Sequence, residues 1–256
     1  TPTALNAATP RMIEATSEIA SQAYEPVEDV ESFMEDSERK VFSVMDVRLT
    51  KTFSNVQEVL GVAIRQIEEL ANNQNPIPGL ATGFNEFDKM TTGLKGGQLI
   101  IVAARPGMGK TSYMLSLVQN AAIMSKSVVA VFSLEMTKTE LLLRLLSGAA
   151  KIPAKRLKLG RLQDRDWQKL AHGADLLSKS RIFMDDSGDL TVYDMRARCR
   201  RLKLTEKKLD LIVVDYLQLM RGAKSGGGKT ESREREISEI SRNLKALAKE
   251  LKCPII

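Results

Sequence analysis

LIIVAARPGMGKTS, from Leu99 to Ser112, decides the fold: a strand-length apolar run, a loop of small residues, and the start of a helical pattern. Within it Ala104–Thr111, ARPGMGKT, fits G-x-x-x-x-G-K-[ST] with Ala104 in place of the first glycine. That exchange is tolerated where the backbone at Ala104 does not need a positive φ. Small residues are required because main-chain amides must curl around phosphates, and Gly107 and Gly109 allow that close approach. Ala104, Arg105, Pro106, Gly107, Met108, Gly109, Lys110, Thr111 and Ser112 are therefore the expected nucleotide-binding residues. Lys110 would set its ammonium on the β- and γ-phosphates, and Thr111 would give its hydroxyl to Mg²⁺. The helix that follows would aim its positive dipole end at the anion. A chance Gly-Lys-Thr turn is the competing reading, and the strand before and helix after weigh against it.

Downstream, strand-like runs alternate with helical patterns. The runs are 98–103, 127–133, 182–184, 209–214 and 254–256, and the helical patterns are 111–124, 137–149, 164–177, 191–204 and 231–251. Alternation of this kind predicts an α/β domain, a mostly parallel sheet flanked by helices. The run LDLIVVD (209–215) ends in Asp215, and the outgoing ends of parallel strands form the ligand edge. Asp215 could simply start a turn; beside a phosphate loop it reads as a partner of Thr111 for Mg²⁺. Glu135 follows the strand SVVAVFSL, just ahead of a T-x-x-E capping box at Thr137 and Glu140. A carboxylate there can orient and deprotonate an attacking water; a solvated loop glutamate reads equally well from the residues. The spelling stops inside a strand-like run, so the domain is expected to continue past Ile256.

The segment MRGAKSGGGKTES (220–232) is glycine-rich, basic and long for a connection within a sheet domain. Arg221, Lys224 and Lys229 could follow a phosphate backbone, and a solvated crossover is the plainer reading. Trp167 reads as a packing anchor, His172 as a helix-surface residue, and the charges of RARCRRLKL (196–204) as a solvated helix face.

Upstream, the first 75 or so residues read as helical. Thr9 followed by Pro10 is a start signal, and apolar residues recur at helical spacing from Val27 to Val47. Val56, Val59, Leu60, Ala63, Ile64, Ile67 and Leu70 then form one stripe on a helix that Ser54 would cap. That stripe must be buried, either on its own domain or on a neighbouring subunit. NNQNPIPG (72–79) reads as a linker. The expected organisation is a helical tail over 1–50, a linker with an amphipathic helix over 51–79, and the ATPase domain over 80–256.

Composition bounds the function. The net charge of +6 suits a polyanionic partner without identifying one. Aromatic residues are only 5%, which argues against a stacking surface of the single-strand-binding-domain kind, so nucleic-acid contact should run through phosphates. Two cysteines, Cys199 and Cys253, exclude a disulfide scaffold or zinc cluster and suit a reducing cytoplasm. No apolar run nears the ~20 residues of a membrane span, and TPTALNAATP has no secretory-signal pattern.

The strings TGFNEFDKMTTGLKGGQLIIVAARPGMGKT, VFSLEM, GRLQDRDW, DDSGDLT and VVDYLQLM resemble the bacterial replicative helicases of DnaB type, within the RecA-like ring helicases. EISEISRNLKALAKELKCPII matches as well, so the likeness covers nearly all of 80–256. TPRMIEATSEIASQAYE resembles the tail of the family's N-terminal helical domain, and the helix over 54–71 resembles its linker helix, which docks on the adjacent subunit. The resemblance implies a RecA-like fold, with ATP and Mg²⁺ as cofactors. It gives Lys110 and Thr111 the phosphate and Mg²⁺ roles, Asp215 the Walker B role, and Glu135 the catalytic glutamate role. It implies a homohexamer encircling single-stranded DNA, moving 5′ to 3′, and contacting primase and a helicase loader. A sensor glutamine and basic finger residues acting in trans are implied beyond Ile256. Two alternatives stand beside it: a RecA-like recombination or repair ATPase, and a non-hydrolysing ATP-binding scaffold.

Overall fold

The computed structural model describes residues 2–24, 33, 36–37, 40–41, 55–72, 77–220 and 233–256. By its contacts the chain divides into two units, Thr1–Asn72 and Asn73–Ile256. In the first, α1 spans Pro2–Ala23 and α2 spans Val56–Asn72. The start signal at Thr9–Pro10 is corrected: α1 begins at Pro2, which holds the first-turn position that suits proline, and runs on through Pro10. Lys40 bridges Glu18 (3.0 Å) and Gln22 (3.1 Å) of α1. The helix expected over 27–47 lies outside the described residues except at Phe33, Asp36, Ser37, Lys40 and Val41, each of which is helical. The cap of α2 is Asn55, whose Oδ1 accepts from the Gln57 amide at 3.0 Å; Ser54 lies outside the described residues. The α2 stripe is exposed at Val56, Val59, Leu60, Ile67 and Leu70.

The second unit is built on a parallel sheet. Its elements in chain order are α3 (Asn85–Thr91), α4 (Lys110–Ile123), β1 (Val128–Ser133), α5 (Lys138–Ala150), α6 (Ala154–Lys158), α7 (Asp164–Ser178), β2 (Arg181–Asp185), α8 (Val192–Glu206), β3 (Leu211–Asp215) and α9 (Arg233–Leu251). The strand order is β2-β1-β3, all parallel, with Ser133 opposite Asp215. Parallel bridges carry the sheet on from Ile212 to Ile255 and from Ile255 to Leu99.

Period two decides what each strand residue touches. Val128, Ala130, Phe132 and Ile212 face Met195 and Cys199 of α8 and Leu244 and Leu247 of α9. Their neighbours Val129, Val131, Leu211 and Val213 face Leu117 and Val118 of α4, Leu141 and Leu145 of α5, and Leu177 of α7. Helices thus cover both faces, which is why β1 is buried along its whole length. Burying an aliphatic side chain of this size contributes about 1.5–3 kcal/mol, so these two cores supply the main stabilisation of the unit.

The strand expected over 98–103 is shorter than its apolar run. Ile100 donates to the Ile255 carbonyl (2.8 Å) and Ile255 to that of Gln98 (2.9 Å), after which the backbone leaves the sheet and Ile101 is 64% exposed. Caps position the helices: the Thr137–Glu140 box opens α5 as its spelling implies, and a Thr191–Asp194 box opens α8. The charges of 196–204 do not form a solvated face. Arg196 and Arg200 reach Glu250 of α9 at 2.9 and 2.6 Å, and Arg198 pairs with Asp185. The α8 helix is docked on both sides, so its arginines have carboxylates within reach. Trp167 is not a packing anchor: it lies off the buried Asp166–Gly173–Leu177 face of α7 and is 59% exposed. His172 is exposed, as expected.

Gly173 lies where α7 crosses α5, and a Cβ there would stand 2.8 Å from the Ala150 amide nitrogen. Gly173→Ala should therefore cost about 1–3 kcal/mol in denaturant unfolding despite alanine's better helix propensity. Gly188→Ala, where a Cβ meets nothing within 4 Å, should leave the midpoint unchanged. Burial pushes the Cys199 thiol up to about 12 and that of Cys253 higher still. Neither should react with iodoacetamide at pH 8 until the chain unfolds; modification of the native protein would contradict this burial.

Candidate functional site

The site is assembled at the outgoing edge of the sheet. Asp215 ends β3, and its side chain is almost wholly buried, which obliges a carboxylate to find partners. It has two. The Thr111 hydroxyl donates to Oδ2 at 2.8 Å, and the Lys110 ammonium stands 3.2 Å from Oδ1. Both partners come from the first turn of α4, so one carboxylate ties the phosphate-loop helix to the strand beside it. Lys110 also lies over the Tyr216 ring, 4.2 Å from its centroid. Sequence reading passed Tyr216 by; its adjacency to Asp215 was the available signal.

The loop ahead of α4 has the conformation its glycines allow. Gly107 (φ 79°) and Gly109 (φ 88°) are left-handed, and Ala104 is not among the positive-φ residues, the condition for alanine in that place. No atom lies within 4 Å of a Cβ at either glycine, so backbone conformation, not crowding, selects them. The Met108 amide closes the loop onto the Arg105 carbonyl at 3.2 Å. Gly109 is the N-cap of α4 and supplies no side-chain cap, leaving the first-turn amides available to an anion. Arg105, Pro106, Met108 and Ser112 are exposed around this opening.

Glu135 lies at the same edge without touching the other three. Ser133, buried, shapes its turn: the hydroxyl donates to the Met136 carbonyl (2.7 Å) and accepts from the Met136 amide (3.1 Å). The Leu134 amide donates to the Asp215 carbonyl at 2.8 Å, which sets this turn beside the end of β3. Glu135 itself is exposed, and its neighbours Leu134 and Met136 are half-buried. The turn is braced on its other side, where Lys138 pairs with Asp186 at 2.9 Å. Sequence reading missed Ser133, because a serine ending a strand carries no motif.

A second polar cluster ties the start of the unit to the far part of α4. Asp88, buried, accepts from the Thr82 amide (2.9 Å), the Thr82 hydroxyl (2.7 Å) and the Gly83 amide (3.0 Å), and Asn120 of α4 donates to the Thr82 carbonyl (3.0 Å). The phosphate-loop helix is thereby held from two directions. A cavity of about 190 Å³ opens beside Lys110, Asp215 and Tyr216. Much of its lining, Leu117 and Val213 among it, is apolar and offers nothing to a phosphate.

The donor set suits a magnesium nucleotide. Thr111 Oγ1 and Asp215 Oδ2 are 2.8 Å apart, close to the about 2.9 Å between neighbouring oxygens of a magnesium octahedron. Arg221, Lys224 and Lys229 lie outside the described residues.

Comparison with known proteins agrees with this arrangement. The family described as "DnaB-like helicase C terminal domain" matches residues 79–256. The replicative DNA helicase DnaB of Geobacillus stearothermophilus is 41% identical over 246 residues, covering 96% of this chain and 53% of the relative. The replicative DNA helicase DnaC of Bacillus subtilis (strain 168) is also 41% identical, with the same coverage. The chain spans about half the length of the curated relatives it matches. Among solved structures, an ATPase domain superposes with a TM-score of 0.73 at 34% identity, over 80% of this chain and 70% of that one. A DnaB-like replicative helicase solved to show its interactions with primase gives 0.75 at 28% identity, over 97% of this chain and 56% of that one. With a left-handed glycine loop, an open helix N-terminus and a buried aspartate clasping Lys110 and Thr111, the chain belongs to the DnaB-like helicase C-terminal-domain family.

Proposed function

We propose that this chain is the ATP-hydrolysing core of a replicative DNA helicase. It works as a ring hexamer that moves 5′ to 3′ on single-stranded DNA and unwinds the duplex ahead. One observation carries the reading: the buried Asp215 carboxylate, bonded to Thr111 across 104 residues of sequence and to the adjacent Lys110. The relatives named replicative DNA helicases support it, being 41% identical over nearly the whole of this chain.

In this reading the chain's own groups act mainly by placing charge. The amides from Gly107 to Ser112 cradle the β- and γ-phosphates, and Lys110 moves from Asp215 to the γ-phosphate as that charge arrives. Thr111 and Asp215 would hold Mg²⁺, which would supply neutralisation of the phosphate charge. Glu135 accepts a proton from the attacking water, which its position at the same edge supports. Arg221, Lys224 and Lys229 contact the DNA backbone.

The residue ranges 1–50, 51–79 and 80–256 serve as helical tail, linker and ATPase domain. Helix α2 presents an exposed apolar stripe, which supports docking on another subunit and hence oligomerisation. Primase is a proposed partner, because one structural neighbour was solved for its interactions with primase; a helicase loader is proposed on the resemblance alone. Among the described residues no helix is long and apolar enough to cross a membrane, and the proposed location is cytoplasmic, at the nucleoid.

Lys110→Ala should weaken binding of a fluorescent ATP analogue at least ~10-fold and abolish turnover, since a charge-assisted contact contributes about 1.5–3 kcal/mol; wild-type turnover in that variant rejects the assignment. Glu135→Gln should keep nucleotide affinity within about twofold and lower steady-state hydrolysis by at least ~100-fold, within the range of general-base catalysis. Undiminished hydrolysis returns Glu135 to a solvated turn. A strand-displacement assay on a 5′-tailed fork separates a translocating helicase from a recombination ATPase, which would turn over ATP without displacing the strand.

A further inference from the structure

Lys110 is held by two groups of unlike kind that are consecutive in sequence. Its ammonium stands 3.2 Å from Asp215 Oδ1 and 4.2 Å from the centroid of the Tyr216 ring. The carboxylate has a place in the ATP reading above, and the ring has none.

The fold fixes Tyr216 from both sides. It follows the buried last residue of β3 and is itself half-buried. The peptide that joins it to Asp215 accepts from the Leu134 amide at 2.8 Å, which ties this point to the turn after β1. Beyond it the chain makes one 3₁₀ turn, Leu217–Leu219, closed by the Leu219 amide on the Tyr216 carbonyl at 3.0 Å. Leu217 packs against the core that α8 and α9 share, and Met220 is buried in it. Lys110 reaches the ring from the first turn of α4, with its side chain 29% exposed. Lys110, Asp215 and Tyr216 line the same cavity.

The two partners do different things to a lysine. Holding its long stem in one place costs rotamer entropy near the top of the side-chain scale. A carboxylate can hold it, and in doing so cancels the charge and occupies an N–H donor. An aromatic face attracts the same cation through its quadrupole and brings no net charge of its own. The ring therefore confines the ammonium while leaving its charge and its donors for an incoming anion. Asp215 cannot do this alone, because it is also the carboxylate that would meet Mg²⁺.

We propose that Tyr216 is a positioning residue for Lys110: its ring face keeps the ammonium ordered against the wall of the opening, ready for a phosphate. The proposal rests on the ATP reading above and deepens it. Tyr216 acts through Lys110 alone, by its ring and not by its hydroxyl. Simple space-filling at the sheet edge is the competing role, and an aliphatic side chain would serve that equally well.

The test measures affinity of the chain for a fluorescent ATP analogue with Mg²⁺. Tyr216→Leu should weaken binding about 2- to 30-fold, the span of cation–π attraction from exposed to desolvated sites. Tyr216→Phe, which keeps the face, should stay within about twofold of the parent. Phenylalanines of increasing fluorination placed at 216 should lower log affinity stepwise as the face loses electron density, with the unfolding midpoint unchanged. In a Lys110→Ala background Tyr216→Leu should cost nothing further, since the ring then has no cation to place. In NMR spectra of lysine-labelled chain, the Lys110 ε-methylene protons should show an upfield ring-current shift that Tyr216→Leu removes. Equal affinity in the Leu and Phe variants, a flat response to fluorination, additive losses in the double variant or an absent ring-current shift each overturn the positioning role alone. Failure of the parent chain to bind the analogue overturns it together with the ATP reading.

Discussion

A parallel sheet with helices on both faces brings the ends of its strands to a common edge, and everything chemical in this protein depends on that geometry. In β3, alternate side chains enter opposite cores, Leu211 and Val213 one way and Ile212 the other. The strand is therefore locked in register, and Asp215, its last residue, is delivered to the edge beside Ser133 of β1. Burial there makes the carboxylate unable to stand alone. Lys110 and Thr111 answer it, and in doing so fix the start of α4 against β3. Stability and the proposed function share this interaction: the Lys110 ammonium that pairs with Asp215 here is the group proposed to turn to a bound nucleotide.

Around that clasp the supporting structure consists of polar links across the sheet edge. Asp88 gathers the Thr82 turn and, through the Thr82 carbonyl, Asn120 of α4. Ser133 braces the turn that carries Glu135, and the Lys138–Asp186 pair joins the turn after β1 to the one after β2. The Ser133 and Lys138–Asp186 links lie between a strand end and the next helix, where main-chain groups would otherwise lack partners, and the Asp88 cluster holds the other end of α4. The loop bearing Gly107 and Gly109 contributes no such link from side chains. Its amides are left open, which is a requirement for binding an anion rather than a defect of capping.

Much of this was legible beforehand. ARPGMGKT between an apolar run and a helical pattern specified a glycine loop leading into a helix, and the structure has Gly107 and Gly109 at positive φ ahead of α4. The alternation of apolar runs and helical stripes specified a parallel α/β layer order. The T-x-x-E spelling placed a helix start at Thr137, where the capping box is found. Local chemistry was sufficient in each case, since turn conformation, capping and period two depend on residues a few positions apart.

The order of residues alone thus specifies the glycine loop ahead of α4, the alternation and the residue types at the strand ends. Which distant groups meet is settled only when the chain packs. Asp215 reaches Lys110 and Thr111 across about a hundred residues, Glu250 collects two arginines that read locally as a solvated face, and Trp167, which read as a core residue, faces water. The apolar run after Gln98 makes its main-chain bonds to Ile255 and then leaves the sheet, with Ile101 turned to solvent. The physical reason is the same in all four: burial and pairing are properties of the space around a side chain, and local sequence specifies only the backbone that enters it.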